Sequence, residues 1–237
     1  MPIGTASGAT KPTSEPGFKN ATRVQVSFVT AAEKRALAWF AARMPAWVNS
    51  DHLTVLGFAA QIMVGVSYAL ARYHRQWLLW GILFLALNWF GDSLDGTLAR
   101  YRNRQRPRYG FYVDHVIDAI GSTVLMVGLG LSGFMSPIIA LALLIAFLLL
   151  AIEVYLATYT IGSFHLSFFN LGPTELRIIL AIGNVVLYVR GPWTHLAGHK
   201  FLLFDVGAVV AIVGMGSMFL YAAVKHTVQL YREERLP

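Results

Sequence analysis

Four aspartates stand within one short stretch, GDSLDGTLARYRNRQRPRYGFYVDHVIDA, which runs from Gly91 to Ala119. Asp92 and Asp95 are spaced i, i+3, and Asp114 and Asp118 are spaced i, i+4, so on helices each pair shares one face. The Arg- and Pro-rich segment near Arg102 to Arg108 is a turn that folds two such helices antiparallel and lets the pairs meet. Two carboxylates about 4 Å apart repel by about 4 kcal/mol at an effective dielectric near 20. A cluster of four must therefore take up protons or bind cations. Hard carboxylate oxygens suit Mg²⁺, Mn²⁺ or Ca²⁺. A pair of ions about 3.5–4 Å apart would use all four groups and clamp a phosphate.

The neighbouring residues fit that chemistry. Gly96 removes a side chain beside Asp95, where a ligand could approach the backbone. Ala99 keeps the same face small one turn later, and Arg100 stands where a guanidinium could pair with a phosphate. Each has a plainer reading as well: close helix packing for Gly96 and Ala99, and anchoring at the membrane surface for Arg100. The four aspartates together have no comparably plain reading, because acids inside a membrane are costly and mark function.

A membrane is required by composition. The chain is 56% hydrophobic and 13% charged over 237 residues, with mean hydropathy +0.56, whereas soluble domains carry about 25% charge. Cysteine is absent, which excludes a disulfide framework and thiol chemistry. Six apolar runs predict an all-α integral membrane protein with six spans, over residues 53–71, 77–98, 110–131, 137–161, 175–189 and 201–224. Residues 1–30 read as a flexible polar tail without a secretory leader. Residues 31–48 mix Lys34, Arg35 and Arg43 with Leu37, Trp39, Phe40 and Trp47, which predicts an amphipathic helix lying in the interface. The catalytic unit is then residues 49–228, followed by a cytoplasmic tail over 229–237.

Six spans put both termini and the second and fourth loops on one side. Of 19 lysines and arginines, 15 fall on that side and four on the other: Arg72, Arg75, Arg190 and Lys200. The positive-inside rule makes the richer side cytoplasmic. The aspartate hairpin opens there. The net charge of +7 is accounted for by topology and by attraction to anionic lipid, so no nucleic-acid partner is expected.

Asp92-x-x-Asp95-Gly96-x-x-Ala99-Arg100 followed by Gly110-x-x-x-Asp114-x-x-x-Asp118, with nine residues between Arg100 and Gly110, resembles the signature of the CDP-alcohol phosphotransferase family. The resemblance extends over most of the chain after about residue 45. It implies transfer of a phosphoalcohol group from a CDP-linked donor to a hydroxyl acceptor, release of CMP, and two Mg²⁺ or Mn²⁺ ions. It implies that Asp92, Asp95 and Asp114 are metal ligands, that Asp118 is both ligand and catalytic base, and that Gly96 and Ala99 line the nucleotide site. At least one substrate would be a lipid, and a homodimer is the assembly the resemblance suggests. His115 competes with Asp118 for the role of base.

Two flanking segments are similar to the family as well. The stretch NSDHLT, Asn49 to Thr54, resembles a motif before the first span and makes Asp51 and Thr54 candidates for nucleotide contact; the alternative is an N-cap by Ser50 or Asp51. The stretch from Glu153 to Arg177 resembles the choline/ethanolamine phosphotransferase branch through Glu153, Tyr155, Gly162, Asn170, Gly172, Pro173 and Glu175, as does Asp114-His115-x-x-Asp118. His165 stands out of register with that branch's histidine. Glu153 is expected to face the bundle interior, where it holds a substrate group or pairs with an arginine or tyrosine. Glu175 and Arg177 are expected at the cytoplasmic mouth. A divalent-cation or proton transporter built on the same aspartates is the competing reading.

Overall fold

The computed structural model of the chain describes residues 22–24, 30–161, 163–165 and 172–235. Most of the polar tail expected over residues 1–30, Gly162 and Asn170, and the side chain of His165 lie outside the described residues. The chain order is β1 (Thr22–Val24), α1 (Thr30–Arg43), α2 (Ser50–Ala71), α3 (Trp77–Tyr101), α4 (Pro107–Ser132), α5 (Pro137–Thr160), β2 (Ser163–His165), α6 (Pro173–Arg190), β3 (Trp193–Leu196), β4 (His199–Leu202) and α7 (Leu203–Glu233).

Helices α2, α3, α4, α5 and α7 are long and apolar enough to cross a membrane. The protein is thus an all-α membrane protein. Helix α6 has 18 residues and carries Glu175, Arg177 and Arg190, and it falls outside that set. Helix α7 starts at Leu203 because Phe201 and Leu202 belong to β4, and it continues to Glu233 through most of the segment expected as a tail.

Proline and local turn chemistry set the boundaries. Pro107, Pro137 and Pro173 stand in the first turns of α4, α5 and α6, where a missing N–H costs nothing and the fixed φ suits a helix. Asn103, with φ 53°, turns the chain between α3 and α4, and asparagine tolerates that region better than most residues. Ala197 and Gly198, with φ 49° and 82°, join β3 to β4, as a tight two-residue hairpin requires. The N-cap of α2 is Asn49, whose Oδ1 accepts from the His52 amide at 3.1 Å. The expected cap by Ser50 or Asp51 is therefore corrected by one position, because only Asn49 keeps the extended backbone a cap needs.

Helix α2 packs between α3 and α4, α3 also meets α6 and α1, and α5 lies between α4 and α7. The α2 contacts depend on glycine. A Cβ on Gly91 would stand 2.5 Å from the Gly57 amide nitrogen, and one on Gly128 would stand 2.0 Å from the Gly65 carbonyl oxygen. Backbones that close bring α3 and α4 onto one face of α2. One apolar core gathers Val64, Tyr68, Leu78, Leu129 and Leu187 in the body of the bundle. A second joins Leu37 and Ala41 of α1 to Leu53, Leu94 and Leu98 near the α3–α4 turn.

Helix α1 is held across that end by polar contacts. Glu33 Oε1 accepts from Trp89 Nε1 on α3 and from Thr174 Oγ1 on α6, both at 2.7 Å. Arg102, just past α3, donates to the carbonyls of Met44, Pro45 and Val48. The far end is held differently: Asp205 accepts from the Ser136 amide at 2.7 Å and from its hydroxyl at 2.6 Å, tying α7 to the start of α5. Helix α6 runs between the two ends, from Thr174 beside Glu33 to Gly191 beside Arg75. Midway, Asn184 accepts from the Tyr68 hydroxyl at 2.9 Å and donates to the Leu78 carbonyl at 3.3 Å.

Candidate active site

Helices α3 and α4 each pack on α2 rather than extensively on each other, and α2 brings their aspartates to one cleft. Asp92, Asp95 and Asp118 line one narrow cleft, with Thr54, Gly57 and Gln61 of α2 opposite them and Asn88 deeper in α3. Asp114 completes the group electrostatically: Asp118 feels Asp92, Asp114 and Asp95, and Asp95 feels Asp114 and Asp92. The cleft encloses about 10 Å³, room for about one water-sized particle. Anything larger must bind at its mouth or widen it.

Two of the carboxylates have hydrogen-bonding partners. Asp95 is buried; its Oδ2 accepts from Thr54 Oγ1 at 2.6 Å and its Oδ1 from the Gly96 amide at 2.5 Å. Thr54 reaches Asp95 because α2 and α3 touch at Gly57 and Gly91. Asp92 Oδ2 accepts from Arg177 of α6 at 2.6 Å. The same guanidinium donates through Nε to Asn88 Oδ1 at 2.7 Å, and Asn88 Nδ2 donates to the Gly57 carbonyl at 2.9 Å. Arg177 is also the positive charge acting on Asp118.

The remaining sequence candidates fall into two groups. Asp51 pairs with Arg106 at the start of α4, both about half exposed. Arg100 is exposed; its guanidinium lies over Gly96, 3.3 Å from where a Cβ would stand, and donates to Thr97 Oγ1 at 3.2 Å. The space beside Gly96 is thus filled by Arg100 itself. Ala99 is part-buried on the same helix. His115 is not one of the described residues lining the cleft. Its Nδ1 lies 2.5 Å from the Phe111 carbonyl oxygen, so that nitrogen carries the proton, and its ring stacks between Phe111 and Tyr155, with centroids at 4.1 and 4.4 Å. Tyr155 in turn feels the charge of Asp118.

Glu153 faces the interior as expected, but its partner is His226 of α7, with Nδ1 2.5 Å from Oε1. Among the described residues, neither an arginine nor a tyrosine is bonded to it. Glu175 Oε2 accepts from the Gly172 amide at 2.9 Å and serves the start of α6. Sequence reasoning missed the direct bonds of Arg177 to Asn88 and Asp92. It also missed Asn88, although an asparagine one turn before Asp92 in an apolar helix was a visible signal.

Four carboxylates opposed at Asp118 by one guanidinium are a donor set that fits a hard divalent cation. In the conformation described, Asp92 is turned to Arg177 and Asp95 to Thr54, and among the described residues no three acidic or histidine side chains converge on one point. Ligation therefore requires those side chains to exchange partners.

Comparison with known proteins adds an independent observation. A model of the CDP-alcohol phosphatidyltransferase family matches residues 47–220. The chain is similar to an archaetidylinositol phosphate synthase of Methanothermobacter thermautotrophicus, with 25% identity over 61% of this chain and 70% of that protein. It is also similar to a phosphatidylinositol phosphate synthase of Streptomyces avermitilis, with 32% identity over 35% of this chain and 32% of that protein.

Proposed function

The chain belongs to the CDP-alcohol phosphatidyltransferase family, and on that premise we propose that it transfers a phosphoalcohol group from a CDP-linked donor to a hydroxyl acceptor at the α3–α4 aspartate cluster, releasing CMP. As a family member it is a transferase of substituted phosphate groups acting in phospholipid synthesis. The observation that carries the finer reading is that Asp92, Asp95 and Asp118 line one cleft, with Asp114 in electrostatic reach. A transporter is disfavoured because the cluster sits at one end of the bundle, beside the arginines of the α3–α4 turn.

In this reading Asp92, Asp95, Asp114 and Asp118 hold Mg²⁺ or Mn²⁺, two ions for four carboxylates. Bound divalent metal supplies neutralisation of the diphosphate charge, so that CMP can leave. The chain's own residues do the rest. Thr54 orients Asp95. Arg100, exposed and lying over Gly96, would contact phosphate, and Gly96, Ala99 and Asp51 would flank the nucleotide. The acceptor oxygen attacks the phosphorus that carries the donor alcohol. The bond from that phosphorus to the bridging oxygen breaks, and CMP departs with the electron pair. Asp118 takes the acceptor's proton as the new bond forms.

The names of both relatives, an archaetidyl- and a phosphatidylinositol phosphate synthase, favour a CDP-linked lipid as donor and a polar alcohol as acceptor. The test is a donor panel. Purified protein should release CMP from CDP-diacylglycerol with inositol phosphate or another small polyol, and little from CDP-choline or CDP-ethanolamine with diacylglycerol. The opposite preference would move the lipid to the acceptor side, as the likeness around Glu153 and Asp114-His115-x-x-Asp118 suggests.

We also assign six spans, with α6 as the fifth crossing, α1 in the interface, and both termini and the cleft on the cytoplasmic face. The course of α6 from the Glu33 end to the Arg75 end supports the crossing. At about 1.5 Å per residue its 18 residues cover about 27 Å, close to the hydrocarbon thickness. Single cysteines at His74 and Arg104 should react with membrane-impermeant reagents from opposite sides. Labelling of both from one side would break this topology.

A further inference from the structure

Arg177 is the residue whose position the aspartate motif does not explain. It projects from α6, yet its side chain is only 16% exposed, and it reaches Asn88 and Asp92 of the cleft lining from a helix that carries none of the four aspartates. Its guanidinium is oriented by two acceptors on successive turns of α3, Asn88 through Nε and Asp92 through the Nη2 group. Asn88 cannot be flipped without turning its NH₂ toward the guanidinium, because its own Nδ2 is committed to the Gly57 carbonyl. Glu33 holds the first turn of the same helix against α3 through Thr174 and Trp89. The approach of α6 to the aspartates is thus built in at three points.

A guanidinium bound this way does two things. It supplies the positive charge that lets the carboxylates stay close without a metal, and it occupies an oxygen of Asp92. A divalent cation that takes Asp92 must displace it. Once displaced, a guanidinium beside bound metal is repelled by the metal and attracted by any phosphate the metal carries.

We propose that Arg177 is a displaceable counter-ion of the aspartate cluster: it neutralises Asp92 in the metal-free site, competes with the divalent cation for that carboxylate, and turns to the phosphates of the CDP-linked donor when metal and donor bind together. This assignment rests on the reading of the aspartates as a metal site. Arg177 is a positioning residue in the metal-free state and contacts the donor only in the loaded one. The order of events has a consequence. Metal alone binds against Arg177, while metal with nucleotide binds with its help, so the two ligands favour each other's binding.

The test separates a counter-ion from a residue that merely braces α6. Mn²⁺ binding to the purified protein is followed by electron paramagnetic resonance of the free ion, without nucleotide and then with saturating CDP. In the absence of CDP, Arg177→Gln should bind Mn²⁺ about tenfold more tightly than the unmodified protein, since a charge-assisted bond no longer has to be broken. With Mn²⁺ saturating, the same variant should bind CDP about tenfold more weakly. Arg177→Lys keeps the charge but loses the fork to Asn88 and Asp92, so it should fall between the two in Mn²⁺ affinity. It serves as the readout if Arg177→Gln does not fold. Unchanged or weaker Mn²⁺ binding by the folded variants would overturn the counter-ion assignment while leaving the metal site standing. Absence of Mn²⁺ binding in the unmodified protein would overturn both.

Discussion

Asp118→Asn is expected to lower CMP release by a factor of about 10²–10⁴, the usual cost of losing a general base, while keeping substantial metal-dependent CDP binding. Asparagine has the same size and retains one oxygen for a ligand, but it cannot accept the acceptor's proton. Asp118 lines the cleft with Asp92 and Asp95 on the facing helix, so a hydroxyl entering there meets it directly. His115 does not have that position. With Nδ1 committed to the Phe111 carbonyl and the ring stacked between Phe111 and Tyr155, it supports the wall behind Asp118. His115→Ala should therefore cost far less turnover than Asp118→Asn. Calorimetric CDP affinity measured beside CMP release for both variants checks this. If Asp118→Asn turns over normally, or if His115→Ala alone abolishes turnover with binding intact, Asp118 is not the base.

Asparagine at Asp92, Asp95 or Asp114 should behave differently, because these carboxylates are assigned to hold metal. Each change should remove the nucleotide's metal-dependent stabilisation together with turnover. In the unmodified protein, CDP at a hundredfold excess over its Kd adds about 2.7 kcal/mol of stability, or roughly 5 °C or more in Tm, with Mg²⁺ or Mn²⁺ and little with chelator. Asp95→Asn should be the most damaging of the three in metal-free protein. Asp95 is buried, and it accepts from Thr54 and Gly96 at once, so an amide nitrogen facing either donor leaves a buried group unsatisfied. Equal stabilisation by CDP with and without metal would argue against binding through a metal bridge.

The sequence made much of this site legible because its determinants are local. The i, i+3 and i, i+4 spacings put the aspartates on two helical faces. Pro107 and the arginines around it mark the turn between those faces. Apolar length marks the helices on either side. Thr54 was singled out through a short motif, and it does meet Asp95. What spacing could not supply were partners chosen by packing. Arg177 meets Asp92, His226 meets Glu153, and Glu33 meets Trp89 and Thr174, each across a wide separation in the chain. Such pairs exist only once the helices have packed, as where α2 meets α3 and α4 at Gly57, Gly65, Gly91 and Gly128. Helix α6 was readable as a helix but ambiguous as a span, since Glu175, Arg177 and Arg190 dilute its apolar character. Two of those charges proved to be spent on a helix start and on the cleft.

The central claim is that the aspartate cluster transfers a phosphoalcohol group from a CDP-linked donor with the help of divalent metal. The most direct measurement is CMP release by the purified protein in detergent or lipid nanodiscs, given CDP-diacylglycerol and a polyol acceptor, as Mg²⁺ or Mn²⁺ is titrated after chelation. CMP should appear only with acceptor and metal both present, and it should rise with metal until the site is filled. CMP release that is indifferent to chelator, or unchanged when Asp92, Asp95, Asp114 and Asp118 are replaced together by Asn, would contradict the account.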